Sequence, residues 1–536
     1  MTYWLQLLAL SLLVSAASAR AQTAVWTSHY DNYRTGANIE EAILTPENVN
    51  RSTFGRLAGL PVSGCVFAQP LYIPNVQMSD GSVRNMVYIA TTANMVYGYD
   101  ANDYSLQFSV GFGNPAPSAD ILPEIGYRDF PDCDTGEEFG PIGIVGTPVI
   151  DIWDNAMYLV VNTIDNARLS HVHRHFLHKI SLSTGKDLVP RVEIKGSYED
   201  APFQSRYQLQ RTALLLLNQT IYIAFGSHQD EYPYQGWLFA YDSNLRQTAV
   251  RNYSPLKSGA GIWQSGGGPS TDGNYIYVTT GNLSEGDVEP HEYSDSVLQI
   301  DPITLAVVAK TSFYPENQGW DLNFDLDLGT TRPIIIPETG QVLSGSKLGD
   351  MFLIGRQTME VDARWMAVSY YSAGIDWTGI YNGLAYWNGT IYVWPGGGGF
   401  AYGTEPGFPI DSLKAFSLGG TAEGVALSAI GQSDGVGVGY QGSNIVISAN
   451  GWDQSTGIVW AHTPASNTSQ LQTGYLRAYS ASDFSGGLFK ALWDNSGDED
   501  VNLFAKYNQP LVANGKVFLP TFSGQVIVYG LLSENR

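Results

Sequence analysis

From residue 68 to the end of the chain the apolar positions recur in one pattern. A small or polar pair, often followed by proline, leads into a short apolar run, a turn, and a second run carrying tyrosine or valine. The instances are "AQPLYIP" at 68, "GTPVIDIWDNAMYLVV" at 146, "QRTALLLLNQTIYIAF" at 210, "GGPSTDGNYIYVTT" at 267, "TRPIIIPETGQVLSG" at 331, "NGLAYWNGTIYVW" at 382, "QGSNIVISANG" at 441 and "NQPLVANGKVFLPTF" at 508. Most are followed by a third run ending in an aromatic or apolar residue and then Asp or Ser, as in "VYGYDAND", "LHKISLSTGK", "WLFAYDSN", "VLQIDPIT", "LKAFSLGG" and "LRAYSASD". Alternating β-branched and aromatic residues between Gly, Asn, Asp and Pro turns predict antiparallel strands. A fixed larger period predicts a repeat architecture, and a β-propeller satisfies both.

The last repeat, starting at Asn508, has too little chain left for four strands. A strand near "FGRLAGLPVSG" in the N-terminal part supplies the missing outer strand and closes the ring without an exposed edge. The expectation is an all-β chain: a single eight-bladed β-propeller over residues 22–536, closed by an N-terminal strand. Residues 4–16, "WLQLLALSLLVSA", form an apolar run too short to span a bilayer and precede small residues suited to cleavage. Residues 1–21 therefore read as a secretory signal peptide and the protein as exported, with no membrane anchor.

Export changes how the remaining composition is read. Six Asn-x-Ser/Thr sequons, at Asn50, Asn218, Asn252, Asn282, Asn388 and Asn467, are compatible with glycosylation. The only cysteines are Cys65 and Cys133, which in an oxidising compartment form one disulfide or remain two buried thiols. A formal charge of −23 argues against a nucleic-acid partner, because phosphate affinity comes from Lys and Arg. The acidic stretches "DCDTGEEFG" and "DNSGDED" read as solvated turns. Oligomeric state is left open.

The segments preceding each first strand begin near the axis, so they line one mouth of the channel. They supply Gln69, Thr147, Gln210, Arg211, Thr331, Arg332, Asn382, Gln441, Asn508 and Gln509. An amide-rich ring with two arginines suits hydrogen bonding to the oxygens of a small molecule, with the arginines stabilising developing negative charge. The same groups would also serve simply to satisfy strand ends. The second strand of each blade returns to that mouth, which places "AFGSHQDEYPYQGW" there, with His228 as a candidate acid or base oriented by Asp230 or Glu231. His228 bonded to loop carbonyls is the structural alternative. "SKLGD" adds Lys347 and Asp350, and "GIWQSGGG" adds Trp263, able to stack on a flat ligand, and Gln264. In "HVHRHFLH" His171, His173 and His175 share one strand face, yet no fourth ligand is in view and no metal site is expected. "GGGG" at 396–399 lacks the strand-to-helix context of a phosphate cradle and reads as a loop.

The opening "WTSHYDNYRTGANIEEAILTPENVN", with Trp26 and Arg34, together with "GIVGTPVID", "LSTGK", "GSHQDEYPYQGWLFAYD", "GIWQSGGGPSTDG", "DLDLG" and "LRAYSASD", resembles a secreted branch of the quinoprotein alcohol dehydrogenase-like propellers, those with pyrroloquinoline quinone (PQQ)-type repeats. The resemblance covers residues 26–532 and implies the eight-bladed fold. Quinone-dependent members of that superfamily use PQQ and calcium on the axis, commonly with a vicinal disulfide and a tryptophan floor. This chain has no adjacent cysteines and no CxxCH haem signature. Three functions follow as expectations. The leading one is a secreted enzyme that transforms a small aromatic or polyketide-like metabolite without a redox cofactor, by dehydration, isomerisation or hetero-Diels–Alder cyclisation. The others are a PQQ- and calcium-dependent dehydrogenase of alcohols or sugars, and a non-catalytic propeller that binds a glycan or protein.

Overall fold

The alternation of side chains along each strand decides how the sheets stack. In the strand Thr220–Ser227, Ile221, Ile223 and Phe225 pack with Val149, Tyr158 and Leu177 of the preceding sheet, while Tyr222 and Ala224 pack with Ile276, Val278 and Leu298 of the following one. Both faces of such a strand are buried, so it reads as a nearly continuous apolar run. Sheets that are apolar on both faces, except at their outer strands, must have a neighbour on each side, and a closed ring gives every sheet two.

The computed structural model describes residues 22–533 apart from 122–129, 168–169, 230, 232, 257, 284–292, 314–326, 368–378, 382, 397–410, 422–423, 435–437, 439–441, 466–470 and 499–501. Eight antiparallel sheets follow one another in chain order, as expected from the repeats. Blade 1 spans Leu71 to Gly111, blade 2 Val149 to Glu193, blade 3 Leu215 to Asn252, blade 4 Ser270 to Ser312, blade 5 Ile334 to Met366, blade 6 Leu384 to Gln432 and blade 7 Asn444 to Asp494. Blade 8 takes its three inner strands from the C-terminal part, Leu511–Ala513, Lys516–Pro520 and Gln525–Leu531, and its outer strand from Phe54–Pro61. The N-terminal closure read from the sequence is thus present, with Phe54 opposite Leu531 and Pro61 opposite Gln525.

The innermost strand of each blade has one edge with no partner in its own sheet. Residues 25–38 cross the channel as a strap and meet these edges in blade order. Val25 exchanges backbone hydrogen bonds with Tyr72 of blade 1 (2.7 and 3.0 Å), and Trp26 O accepts from Ile150 N of blade 2 (2.8 Å). Arg34 donates to Leu214 O just before blade 3 (3.0 Å). The carbonyls of Asn32, Tyr33, Thr35 and Gly36 accept from Thr271, Ile335, Tyr386 and Ile447 of blades 4 to 7, at 2.9, 2.9, 2.8 and 2.8 Å. Asn38 Nδ2 reaches Val512 O of blade 8 (2.9 Å). One segment therefore satisfies backbone groups all round the ring, which buried edges require. Gly36, at φ +76°, has Ala385 Cβ and Arg332 Nη2 only 3.2 Å from where a side chain would begin, so both its conformation and its surroundings call for glycine.

A long excursion between blades 1 and 2 returns to the top of the ring, where Cys133 is disulfide-bonded to Cys65, with Cα atoms 5.2 Å apart. Asp134 fastens the same loop by accepting from Ser63 Oγ (2.5 Å) and Gly64 N (2.8 Å). Cys65 packs with Phe67, Phe130, Ile142, Val145, Leu209 and Phe522, an apolar cap drawn from several blades. The disulfide closes a sequence separation of 68 residues. Replacing both cysteines by serine is expected to lower stability by about 4 kcal/mol, read as a reduced urea midpoint. A midpoint unchanged by the substitution would show that the cap holds without the cross-link. No helix among the described residues is long and apolar enough to cross a membrane.

Candidate active site at the channel mouth

The strap forms the floor beneath the ring of residues that precede the first strands. Gln69 Oε1 accepts from His29 N (2.9 Å) and from Gln509 Nε2, while Gln69 N donates to Thr147 Oγ1 (2.9 Å). Asn508 Nδ2 donates to Val66 O and Ala68 O at 2.8 and 2.9 Å, and Gln210 Nε2 to Thr212 O. Thr331 Oγ1 donates to Gly345 O (2.9 Å). The Gln69, Gln509, Thr147 and Asn508 bonds knit blades 1, 2 and 8 together, whereas those of Gln210 and Thr331 stay within blades 3 and 5. Arg332 is fully buried and donates to Arg34 O (3.1 Å) and Leu384 O, under the mouth rather than in it. Burial, with Arg34 adding charge repulsion, pulls its guanidinium down to about 9. Asp230, Asn382, Gln441 and Asn467 lie outside the described residues.

Arg211 stands differently. It is half-buried, its guanidinium lies 4.5 Å from the Tyr507 ring and 5.7 Å from the Trp263 ring, and one nitrogen donates to Ser265 Oγ (3.3 Å). Tyr507 leads into blade 8 and Arg211 into blade 3, so this contact reaches across the ring. The backbone beside it has positive φ at three consecutive residues, Gln264 (+43°), Ser265 (+26°) and Gly266 (+80°). Such conformations at two non-glycine residues cost on the order of 1–3 kcal/mol each and are typical of sites where a side chain must be aimed. Trp263 Nε1 and both ends of the Gln264 amide are buried without a hydrogen-bond partner among protein groups, as are Gln69 Nε2, Gln210 Oε1 and Asn508 Oδ1.

Beyond Trp263 sits a charged pair that sequence reasoning only half supplied. Lys347 Nζ donates to Asp327 Oδ2 at 2.7 Å, and the other carboxylate oxygen accepts from Asn282 N at 2.8 Å. Asp327 and Lys347 are 2% and 9% exposed, which takes the pair out of bulk solvent. Gly281 permits the approach: a methyl group there would overlap Asp327 Oδ1 and stand 2.7 Å from Trp263 Nε1. Lys347 was anticipated from "SKLGD", whereas its partner lies in "DLDLG", a motif noted without a role for Asp327. Asp350, the other carboxylate anticipated nearby, pairs instead with Arg364 (2.8 Å).

His228 is fully buried, and its proton affinity is governed by burial and by His175 and His173 of blade 2. Burial holds it at about 3, and does the same for His175 and His462. His175 Nδ1 is 2.6 Å from Ser205 Oγ, and its ring meets Phe225 edge-on at 5.2 Å. The histidine run therefore packs between blades, and no group of three or more His, Cys, Asp or Glu among the described residues could hold a metal ion. The side chain of His171 is outside the described set.

These three histidines have a consequence for stability. Each stays neutral when folded, whereas in the unfolded chain it takes up a proton below about pH 6.5. Their contribution is complete above that pH and is lost as pH falls from there toward 3, by up to about 1.4 kcal/mol per pH unit for each histidine. Urea unfolding between about pH 7 and pH 4.5 should show this slope reduced in His462→Phe, whose ring would pack on Phe504 as the imidazole does, at 4.7 Å. An identical slope in variant and parent would refute the assignment.

Comparison with solved structures places this architecture. The quinohemoprotein alcohol dehydrogenase from Comamonas testosteroni superposes with a TM-score of 0.61 at 14% identity, over 97% of this chain and 82% of that one. The fold is that of the quinoprotein alcohol dehydrogenases. The quinohemoprotein alcohol dehydrogenase ADHIIG from Pseudomonas putida HK5 gives 0.55 at 12% identity, over 96% of this chain and 81% of that one. A europium-containing methanol dehydrogenase gives 0.54 at 13%, over 91% and 87%. At these identities the quinoprotein likeness is one of fold. No family model matches the sequence, and no curated protein matches it.

The quinoprotein-type ring raises the question whether PQQ and calcium suit these residues. For the flat quinone, Trp263 offers a ring and an unpartnered N–H, and Arg211 a cation. For calcium, which takes six to eight oxygen ligands, Asp327 is already balanced by the Lys347 ammonium, and the neighbouring Asp295 carboxylate accepts from Leu328 N (3.2 Å). The donor set among the described residues does not fit the metal. The disulfide also joins positions distant in sequence rather than adjacent ones.

Proposed function

We propose that the protein is a secreted propeller enzyme that transforms a small molecule at the channel mouth, with Asp327 as proton acceptor. The observation that carries this reading is the buried Asp327–Lys347 pair beside Trp263 and Arg211. A carboxylate balanced by an ammonium can exchange a proton with a bound substrate while the ammonium stabilises the charge left behind. Trp263 supplies a stacking face, its indole N–H and the Gln264 amide supply hydrogen bonds, and Arg211 stabilises negative charge developing on a substrate oxygen. This set suits dehydration, isomerisation or a proton-assisted cyclisation of an aromatic or polyketide-like metabolite. Secretion is supported by the apolar N-terminal run and by the Cys65–Cys133 disulfide.

The fold favours a second reading, a PQQ-dependent dehydrogenase. A titration of the purified protein with PQQ, with and without calcium, separates the two. The first reading expects no saturable change in absorbance or melting temperature, and metabolite turnover that is lost in Asp327→Asn. Saturable PQQ binding that requires calcium, followed by dye reduction with alcohols or sugars, would replace it with the second. A non-catalytic binding propeller would show ligand-dependent stabilisation with no turnover, unchanged in the same variant.

A further inference from the structure

The six sequons divide by face. The hairpin turns joining the first and second strands lie on the side opposite the mouth, and two sequons occupy such turns. Asn218 and Gln219, at φ +49° and +60°, form the two-residue turn of blade 3, and Asn388 and Gly389, at +51° and +73°, that of blade 6. Two consecutive positive φ values are the signature of the type I′ turn that suits a hairpin, and Asn tolerates them well. Asn218 is exposed and Asn388 half-buried. Asn50 lies four residues before Phe54, where the outer strand of blade 8 starts on that same side. Its own sequon is ordered: Asn50 Oδ1 accepts from Ser52 N (2.9 Å) and Ser52 Oγ (2.6 Å) in an exposed setting.

Two of the others lie at the mouth side: Asn252 is built into the fold, and Asn282 is half-buried. Asn252 is 1% exposed, its Oδ1 accepts from Ser254 N (2.8 Å), and its Nδ2, the atom that would carry a sugar, is buried. Asn282 sits against the carboxylate of the site, donating its backbone N–H to Asp327, while its carbonyl accepts from Ala260 N (2.7 Å). An oligosaccharide on Asn252 would have to occupy the blade 3 interior, and one on Asn282 would start beside Asp327 at the mouth. Asn467 is outside the described residues.

We infer that the folded, exported protein carries N-linked glycans at Asn50, Asn218 and Asn388 and at neither Asn252 nor Asn282, so that the face opposite the mouth is sugar-covered. The donor is an oligosaccharide on a lipid diphosphate in the secretory pathway. The bond from sugar C1 to the diphosphate oxygen breaks, a bond from C1 to Asn Nδ2 forms, the amide proton is released, and the lipid diphosphate departs. Transfer to Asn252 would be incompatible with burial of its Nδ2, so chains modified there do not reach the folded state. The surface consequence is that a substrate meets bare protein at the mouth, whereas a partner approaching the opposite face meets glycan.

The test is glycopeptide mass spectrometry on the full chain secreted from a eukaryotic host, before and after endoglycosidase treatment. The expected result is glycan on the peptides containing Asn50, Asn218 and Asn388, with those containing Asn252 and Asn282 unmodified. On gels, Asn50→Gln, Asn218→Gln and Asn388→Gln each remove one endoglycosidase-sensitive step, and Asn252→Gln removes none. Glycan on Asn252 or Asn282 in the secreted protein, or its absence from any of the other three, overturns the inference. Because the peptides of the parent protein settle the distribution, a variant that fails to be secreted does not blunt the test.

Discussion

Arg34→Met is expected to cost about 4 kcal/mol or more of stability, because several buried acceptors lose their donor at once. The Arg34 guanidinium donates to Thr27 Oγ1 (2.6 Å), Ser28 O (2.7 Å), Pro269 O (3.0 Å) and Leu214 O (3.0 Å), all in a fully buried setting. Methionine keeps much of the volume and none of the donors. Relief of the repulsion that Arg34 exerts on the Arg332 guanidinium offsets part of the loss, while the attraction between Arg34 and Asp31 is lost with the charge. Arg34→Lys, with a single nitrogen, should fall between the two. The measurement is urea unfolding of the three proteins. A variant within about 1 kcal/mol of the parent would show that the strap is held by its backbone pairing alone.

The second large effect belongs to the Asp327–Lys347 pair. Lys347→Met leaves a carboxylate at 2% exposure without its ammonium and should destabilise by about 3–5 kcal/mol. Asp327→Asn strands the ammonium in turn. The double replacement should recover a large part of either loss, because a buried pair replaced whole by uncharged groups is often neutral. That cycle needs no substrate. With a substrate in hand, Asp327→Asn should lower kcat/KM by about 10²–10⁴-fold, the range for loss of a general base. Additive losses in the double variant would mean the two charges are not coupled, and turnover unaffected by Asp327→Asn would remove the carboxylate from the chemistry.

The fold was legible because its cause is local and repeated. A run such as "TIYIAFGS" is apolar at consecutive positions because both of its faces meet a neighbouring blade, and eight such runs at a common period leave few arrangements that cover them all. The shortfall after Asn508 required a strand from elsewhere, and "FGRLAGLPVSG" had the right pattern. The site was legible only in pieces. Trp263, Arg211 and Lys347 were reached by position in the repeat, but Asp327 was not singled out, since nothing in "DLDLG" marks which of its carboxylates turns toward Lys347. His228 looked reactive because of its residue type and its neighbours in sequence. In three dimensions it lies in a dry layer with His175, where desolvation keeps it neutral.

The amino-acid sequence by itself determined the all-β class, the number of blades, the N-terminal closure and the cysteine pair available for a disulfide, because periodicity and counting report on surfaces that must be buried. Only the tertiary structure decided which polar residues hold blades together and which face the mouth. Gln69, Thr147, Gln210, Asn508 and Arg332 share a repeat position with Arg211, yet their hydrogen bonds end on backbone or neighbouring amides, while Arg211 lies over Tyr507 and Trp263. The physical reason is that a strand's period fixes the face on which a side chain emerges, whereas the partner it finds depends on segments far away in sequence, the strap above all.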